Sequence, residues 1–83
     1  MVTREQVLRA FHEFSLEPPT DWISNKAQKF VVVHEGQPFP PKRVLSIATG
    51  VPVRDFSGGA EANGILTELG FLVSRKEAFT RRD

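Results

Sequence analysis

Residues 38–71 read PFPPKRVLSIATGVPVRDFSGGAEANGILTELGF and predict two helices with a connection between them. The pair Pro40-Pro41 suits a helix start, because the N–H that proline lacks has no partner there. Gly50 suits the end of that helix, and Ser57 is the natural N-cap of the next one. Leu69-Gly70-Phe71 predicts a Schellman ending with a left-handed glycine. The stretch therefore predicts a helix-turn-helix.

The remaining residues predict a further helix and a small antiparallel sheet. Thr3-Arg4-Glu5-Gln6 is a capping box, and the apolar spacing behind it predicts a helix over roughly residues 4–15. Lys29-Phe30-Val31-Val32-Val33 is the strongest strand signal. Pro38-Phe39-Pro40 can add only a short edge segment, because proline supplies no ladder donor. Phe71-Leu72-Val73 predicts a last strand that pairs with the first.

We therefore expect one α+β domain over residues 1–83, in the order helix, strand, short strand, helix, helix, strand. This order resembles a winged helix, with the hairpin as a possible wing. We expect an ordered core over about residues 3–75 and a tail over residues 76–83 that is frayed or at best helical. The core should draw on Val7, Phe11, Phe14, Phe30, Val32, Val44, Leu45, Ile47, Ile65, Leu66, Leu69 and Phe71.

The composition is that of a small globular protein. The chain has 83 residues, 40% of them hydrophobic and 25% charged, which allows one modest core. The absence of cysteine excludes disulfides, thiolate metal sites and cysteine nucleophiles. No apolar segment resembles a signal peptide or reaches the length of a membrane helix. We expect a cytoplasmic protein.

The charge is nearly balanced overall but unevenly distributed. A formal net charge of +1 argues against a strongly basic nucleic-acid-binding protein. Residues 22–56, however, carry Glu35 and Asp55 against a larger set of cations: Lys26, Lys29, Lys42, Arg43 and Arg54. Such a segment produces a local basic patch. The alternative is an ordinary solvated surface of mixed charge.

Two helix starts are candidate phosphate sites. Ser57-Gly58-Gly59 places two glycines in a first turn, where each costs about 1 kcal/mol relative to alanine. Close approach of a phosphate to free backbone amides would explain them, and so would tight packing of a neighbouring element. Lys42 and Arg43 lie in the first turn of the helix that begins at Pro40-Pro41. Their positive charges interact unfavourably with the dipole of that helix start, and a bound phosphate would offset this repulsion. The alternative is that these two cationic side chains are simply exposed on an amphipathic helix.

The third helix offers candidate base contacts. Asn63 and Thr67 lie four residues apart, on the side predicted to face away from the apolar stripe. Asparagine can read adenine through two hydrogen bonds, and threonine can contact several bases. Glu61 and Glu68 flank them, and these acids would repel a DNA backbone. A solvated polar face is therefore the alternative.

No catalytic signature is present. His12 and His34 are isolated, and His34-Glu35 has no third metal ligand at a suitable spacing. No serine lies in a nucleophile elbow, and no carboxylate pair has an acid–base context. We expect no enzyme activity, no cofactor and no metal. Trp22 either anchors the loop over residues 18–28 to the core or is exposed for recognition.

Two blocks of the sequence resemble a known module. They are VVVHEGQPFPPK at residues 31–42 and, over residues 56–71, Phe-Ser-Gly-Gly, Asn63 and Leu-Gly-Phe. Together they resemble the small N-terminal head domain of bacterial McrA-like, modification-dependent HNH endonucleases, over roughly residues 4–75. In that family the nuclease and modified-base-reading domains lie further along larger chains, and these 83 residues contain no HNH motif. The resemblance implies an accessory, DNA-associated module and carries over no ligand residues.

Two function hypotheses follow. The first is phosphate-dominated binding of double-stranded DNA, plain or modified, by a restriction or defence module, with a nuclease as a possible partner chain. Its contact residues would be Lys42, Arg43, Arg54, the amides of Ser57, Gly58 and Gly59, Asn63 for a base, and Lys26 and Lys29 at the margin. The second is a protein-interaction or dimerisation module, in which the Phe39/Trp22 region or the Val31–Val33 strand edge meets a partner.

Overall fold

The computed structural model describes residues 2–17, 22–24, 26, 28–56 and 59–80. Its elements follow the predicted order and confirm the α+β class. They are α1 (Arg4–Leu16), β1 (Phe30–His34), β2 (Gln37–Phe39), α2 (Pro41–Thr49), α3 (Gly59–Glu68), β3 (Leu72–Arg75) and α4 (Lys76–Thr80), with short 3-10 turns at Trp22–Ser24 and Val53–Asp55. Where the sequence predicts a frayed tail or at best a helix, residues 76–80 form α4.

The start of α1 is fixed by the predicted capping box. The Gln6 backbone N–H donates to Thr3 Oγ1 at 3.2 Å, and the Thr3 N–H donates to Gln6 Oε1 at 2.8 Å. These bonds satisfy backbone donors that a helix start otherwise leaves unpaired. The helix then buries one face, formed by Val7, Ala10, Phe11 and Phe14.

The three strands form an antiparallel sheet in the order β2-β1-β3. Val32 in β1 pairs with Phe39 on one side and with Val73 on the other. The predicted edge pairing of Val31–Val33 with a partner is therefore wrong, because both edges of β1 are occupied within the chain. Phe39 is also unsuited to a partner surface, since only 6% of it is exposed.

The main core lies between the helices and one face of the sheet. Its fully buried members include Val7, Val32, Val44, Leu45 and Leu66. Four residues predicted for the core are only partly buried: Phe30, Ile47, Ile65 and Leu69. Three other hydrophobic residues are buried without having been predicted: Ala10, Val31 and Phe39. Apolar size alone misses a small residue such as Ala10, which is 1% exposed.

The second face of the sheet is covered only in part, since Val31 is buried there while Leu72, opposite Val33, is exposed. Val31 is fully buried, yet it lies outside the main cluster because consecutive strand residues point to opposite faces. Helix α4 contacts both β1 and β3 and is the element placed to cover Val31. Trp22 is half-buried and packs edge-on against Phe14, with ring centroids 6.0 Å apart, which supports its interpretation as an anchor.

Glycines end both central helices as predicted. Gly50 follows α2 with a φ of +81°, and Gly70 follows α3 with a φ of +92°. The Phe71 N–H donates to Leu66 O at 3.0 Å and the Gly70 N–H to Thr67 O at 2.9 Å. This pair of bonds confirms the Schellman ending.

The connection between α2 and α3 spans residues 50–58 and includes a 3-10 turn. It is longer than the three- or four-residue turn of typical helix-turn-helix motifs. The helix-turn-helix and winged-helix details stay predictions. Within the described ranges, no helix is long and apolar enough to cross a membrane.

Candidate nucleic-acid interface

Strand register brings distant basic residues to one end of the sheet. Phe30, the first residue of β1, lies opposite Arg75, the last residue of β3. Strand β2 also runs antiparallel to β1, so its exit into α2 lies at this same end. We call this region the basic end and define it by the cations around these strand termini: Lys26, Lys29, Lys42, Arg43, Arg75 and Lys76.

Part of the basic end lines a half-open cavity of about 270 Å³. Its lining comprises Lys26, Gln28, Lys29, Arg75, Lys76 and Glu77. One wall comes from the segment that leads into β1, and the other comes from the junction of β3 with α4. The Lys76 N–H donates to Lys29 O at 2.8 Å, which joins the two walls.

Arg75 and Lys76 belong to this site but are missing from the residues predicted for it. The available signal was the predicted pairing of the last strand with the first, since an antiparallel partner of Phe30 must lie near the end of that strand. The register was not defined from sequence, and Lys76 was assigned to a frayed tail. Lys26 and Lys29, predicted only as marginal, lie in the cavity lining itself.

Phe30 connects the cavity residues to the start of α3. The Arg75 Cζ lies 5.8 Å from the centroid of the Phe30 ring. A Cβ placed on Gly59 would lie 3.7 Å from Phe30 Cδ2 and 3.9 Å from Asn63 Nδ2. These are ordinary contact distances, so packing does not by itself require glycine at position 59. Ser57 and Gly58 lie outside the described residues.

The start of α2 carries the other predicted cations. Lys42 is half-buried and Arg43 is exposed, both in the first turn. Pro40 makes no side-chain capping bond, and the first helical bond runs from the Val44 N–H to Pro40 O at 3.0 Å. The amides of Lys42 and Arg43 therefore precede the helical hydrogen-bond ladder. Arg54 is exposed in a 3-10 turn away from the cavity lining.

Asn63 does not lie on an open polar face. Its side chain is half-buried, and Oδ1 is buried with no hydrogen-bond partner among the described residues. Bidentate reading of adenine needs both amide atoms of asparagine to be accessible. Asn63 would have to rotate its side chain before it could make that contact. Thr67 is exposed.

His34 has a packing role. Its ring stacks on Phe11, with centroids 4.7 Å apart, and its Nε2 lies 3.9 Å from Glu35 Oε2. Within the part of the chain that the structure describes, no group of three or more histidine or carboxylate side chains is arranged to hold a metal ion.

These features define a small α+β module in which four cations line a cavity at one end of the sheet. A family model described as "ScoMcrA-like, N-terminal head domain" matches residues 1–75, so the chain belongs to that family. The predicted resemblance to McrA-like head domains is confirmed, and the family links the chain to restriction and defence. No curated protein and no solved structure matches the chain.

Proposed function

We propose that this chain is a non-catalytic accessory module that binds double-stranded DNA, mainly through backbone phosphates, in a cytoplasmic restriction or defence system. The observation that supports this most is the gathering of cations at the basic end. Four of them line one cavity, and Lys42 and Arg43 follow β2, which runs toward the same end of the sheet. The head-domain family is consistent with a function on DNA, and the cations of the basic end would make the phosphate contacts.

Local charge matters more than net charge for this proposal. The whole chain carries only +1, so it has no strong overall field. A cluster of lysine and arginine side chains can nevertheless neutralise several phosphates along one stretch of duplex. Such contacts position a protein on DNA without reading its sequence. We therefore expect affinity that depends strongly on salt and little on sequence.

Backbone amides at helix starts would add to these contacts. The first-turn amides of Lys42 and Arg43 lie beside their own cationic side chains, where an anion would offset the unfavourable placement of cations against the helix dipole. Gly59 leaves the start of α3 without a side chain, although a Cβ would fit there. Close backbone approach of a phosphate explains this choice. Arg54 would contact the duplex at its periphery, and Asn63 would take part only after its side chain rotates.

Fluorescence anisotropy of labelled duplex DNA, plain and modified, at several salt concentrations tests the proposal. Three to five phosphate contacts predict a slope of log affinity against log salt of about −3 to −4.5. Replacing Lys42→Ala and Arg43→Ala together should reduce the slope by about 2. Arg9→Ala, which removes an exposed cation from α1, is the matched control and should leave the slope unchanged. Absence of binding at low salt would overturn the proposal.

An exposed sheet edge supports a protein-interaction module as the second candidate. Strand β3 is an edge strand, and Leu72 on it is 64% exposed. Edge strands can pair with a second chain. Sedimentation at increasing protein concentration would reveal self-association. If two copies pair through the edge of β3, Leu72→Lys should abolish it. A constant monomer mass would exclude dimerisation through this edge.

A further inference from the structure

We propose that the cavity of the basic end binds a phosphate monoester, either the terminal phosphate of a DNA strand or the phosphate of a free nucleotide. This deepens the proposed function, because it assigns the cavity a ligand different from the phosphodiesters of an intact duplex. It also adds Arg75 and Lys76 to the binding residues. The cavity is defined by its lining: Lys26, Gln28, Lys29, Arg75, Lys76 and Glu77.

The net positive charge of the lining residues favours a ligand that carries more than one negative charge on a single group. Four of the six lining residues are cationic and one is acidic, which leaves a net formal charge of +3 around about 270 Å³. A phosphodiester carries one negative charge. A monoester carries between about −1.5 and −2 at neutral pH and has three strong acceptor oxygens. The monoester therefore matches the density of cations better than a diester does.

The shape of the site favours a chain end. A phosphodiester within a duplex is attached to sugars on both sides, so it meets a protein best along an open surface. A terminal phosphate is attached through one ester oxygen and can enter a recess lined from two directions. The two walls here come from segments far apart in the sequence, residues 26, 28 and 29 on one side and residues 75–77 on the other. The volume of about 270 Å³ lies just below the roughly 300–1,000 Å³ of pockets for drug-sized ligands, so the recess has room for a terminal phosphate but not for a much larger ligand.

The walls are positioned before any ligand arrives. The Lys76 N–H bond to Lys29 O, at 2.8 Å, holds the two lysine backbones together. The guanidinium of Arg75 lies near the ring of Phe30, and Gln28 Nε2 donates to Phe30 O at 2.9 Å. Such fixed placement reduces the entropy lost on binding. Arg75 can then offer two parallel N–H donors to two phosphate oxygens, and the lysines add point charges.

The test compares one short blunt duplex with 5′-phosphate ends and with 5′-hydroxyl ends, each titrated against the 83-residue chain. We expect the phosphorylated duplex to bind about tenfold more tightly. A slightly longer hydroxyl-ended duplex of equal total charge controls for added charge and should not reproduce the gain. Amide NMR shifts should be largest at Lys29, Arg75 and Lys76. Equal affinity of the two duplexes would overturn the inference and leave duplex binding intact.

Titrations with free ligands distinguish a strand end from a free nucleotide as the source of the phosphate. They also distinguish this inference from the proposed binding of duplex DNA. Deoxyadenosine monophosphate should shift the same cavity amides, whereas deoxyadenosine should not. If the monophosphate binds as tightly as the phosphorylated duplex, the ligand is a free nucleotide; if it binds much more weakly, the ligand is a strand end. Cavity shifts with the monophosphate but no binding of any duplex would support the inference and overturn the proposed function. No response to any of these ligands would overturn both.

Variants locate the site. Lys29→Gln with Arg75→Gln should abolish the gain from the terminal phosphate, whereas Arg9→Gln, far along α1, should keep it. Because Arg75 lies near Phe30, a second variant uses Lys26→Gln with Lys29→Gln, two exposed residues whose replacement leaves the packing intact. A gain that survives in both double variants, with unchanged circular dichroism, would overturn the assignment to this cavity.

Discussion

At the end of the sheet where β1 turns into β2, the cation Arg4 is used within the fold. Its Nη1 donates to Leu69 O at 2.8 Å, and its Cζ lies 4.4 Å from the centroid of the Phe71 ring. We call this region, formed by Arg4, Phe11, His34, Leu69 and Phe71, the turn end. At the basic end the cations instead line a cavity. Positively charged side chains thus contact the fold closely at one end, and at the other end we propose that they meet a ligand.

Aromatic side chains are also packed more closely at the turn end than at the basic end. At the turn end Phe11 contacts three rings, with centroid distances of 4.7 Å to His34, 4.5 Å to Phe39 and 5.3 Å to Phe71. At the basic end Phe30 is half-buried. Stability concentrated at the turn end would allow the basic end to carry a dense group of like charges. Three predictions test that contrast, in order of decreasing effect.

The largest effect should come from the aromatic cluster. Phe11 is 3% exposed, so Phe11→Ala should lower the free energy of unfolding by about 3–5 kcal/mol, through lost burial and the cavity left behind. The matched change at the basic end, Phe30→Ala, should cost roughly 1–2 kcal/mol because that ring is only half-buried. Urea unfolding measures both. Equal losses would contradict the uneven distribution of stability.

A second pair of variants isolates the role of Arg4. Gly70→Ala should cost about 1–2 kcal/mol for the left-handed backbone, plus the displacement of Arg4, whose Nη1 would lie 3.1 Å from the new Cβ. Gly50→Ala has a similar φ but nothing within 4 Å, so it carries the backbone cost alone. Thermal or urea unfolding should show the larger loss at Gly70.

The excess cost at Gly70 should disappear in an Arg4→Gln background, because the displaced group is then shorter. A double-mutant cycle measures this coupling. If Gly70→Ala costs the same in both backgrounds, Arg4 is not held in place by its contacts with Leu69 and Phe71.

The smallest effect should come from replacing single cations, Arg4 at the turn end and Lys29 at the basic end. Arg4→Gln should lower stability by about 1 kcal/mol, through the lost bond to Leu69 O and the lost contact with Phe71, and leave DNA affinity unchanged. Lys29→Gln should change stability by less than about 0.5 kcal/mol and weaken DNA binding. Unfolding curves and anisotropy on the same two proteins check this crossed pattern. A stability loss at Lys29 equal to that at Arg4 would contradict it.

The fold could be predicted from the sequence wherever a local signal defines it. The capping box at Thr3 and Gln6 starts α1, and Gly50 and Gly70 end the two central helices as expected. The candidate site was predicted less completely. Lys26 and Lys29 were identified only as marginal, while Arg75 and Lys76 were not identified at all. Asn63 was assigned to an open face, yet its Oδ1 is buried.

Sequence by itself determined the helix boundaries and the order of elements, because caps, left-handed glycines and strand propensity act over a few neighbouring residues. It also determined the family, through two blocks that together span much of the chain. Only the tertiary structure decided which cations meet. Lys29 and Arg75 lie far apart in the sequence, and they share a cavity because antiparallel pairing sets Phe30 opposite Arg75. That register depends on which strand faces are buried, and burial is decided by the packing of the whole domain.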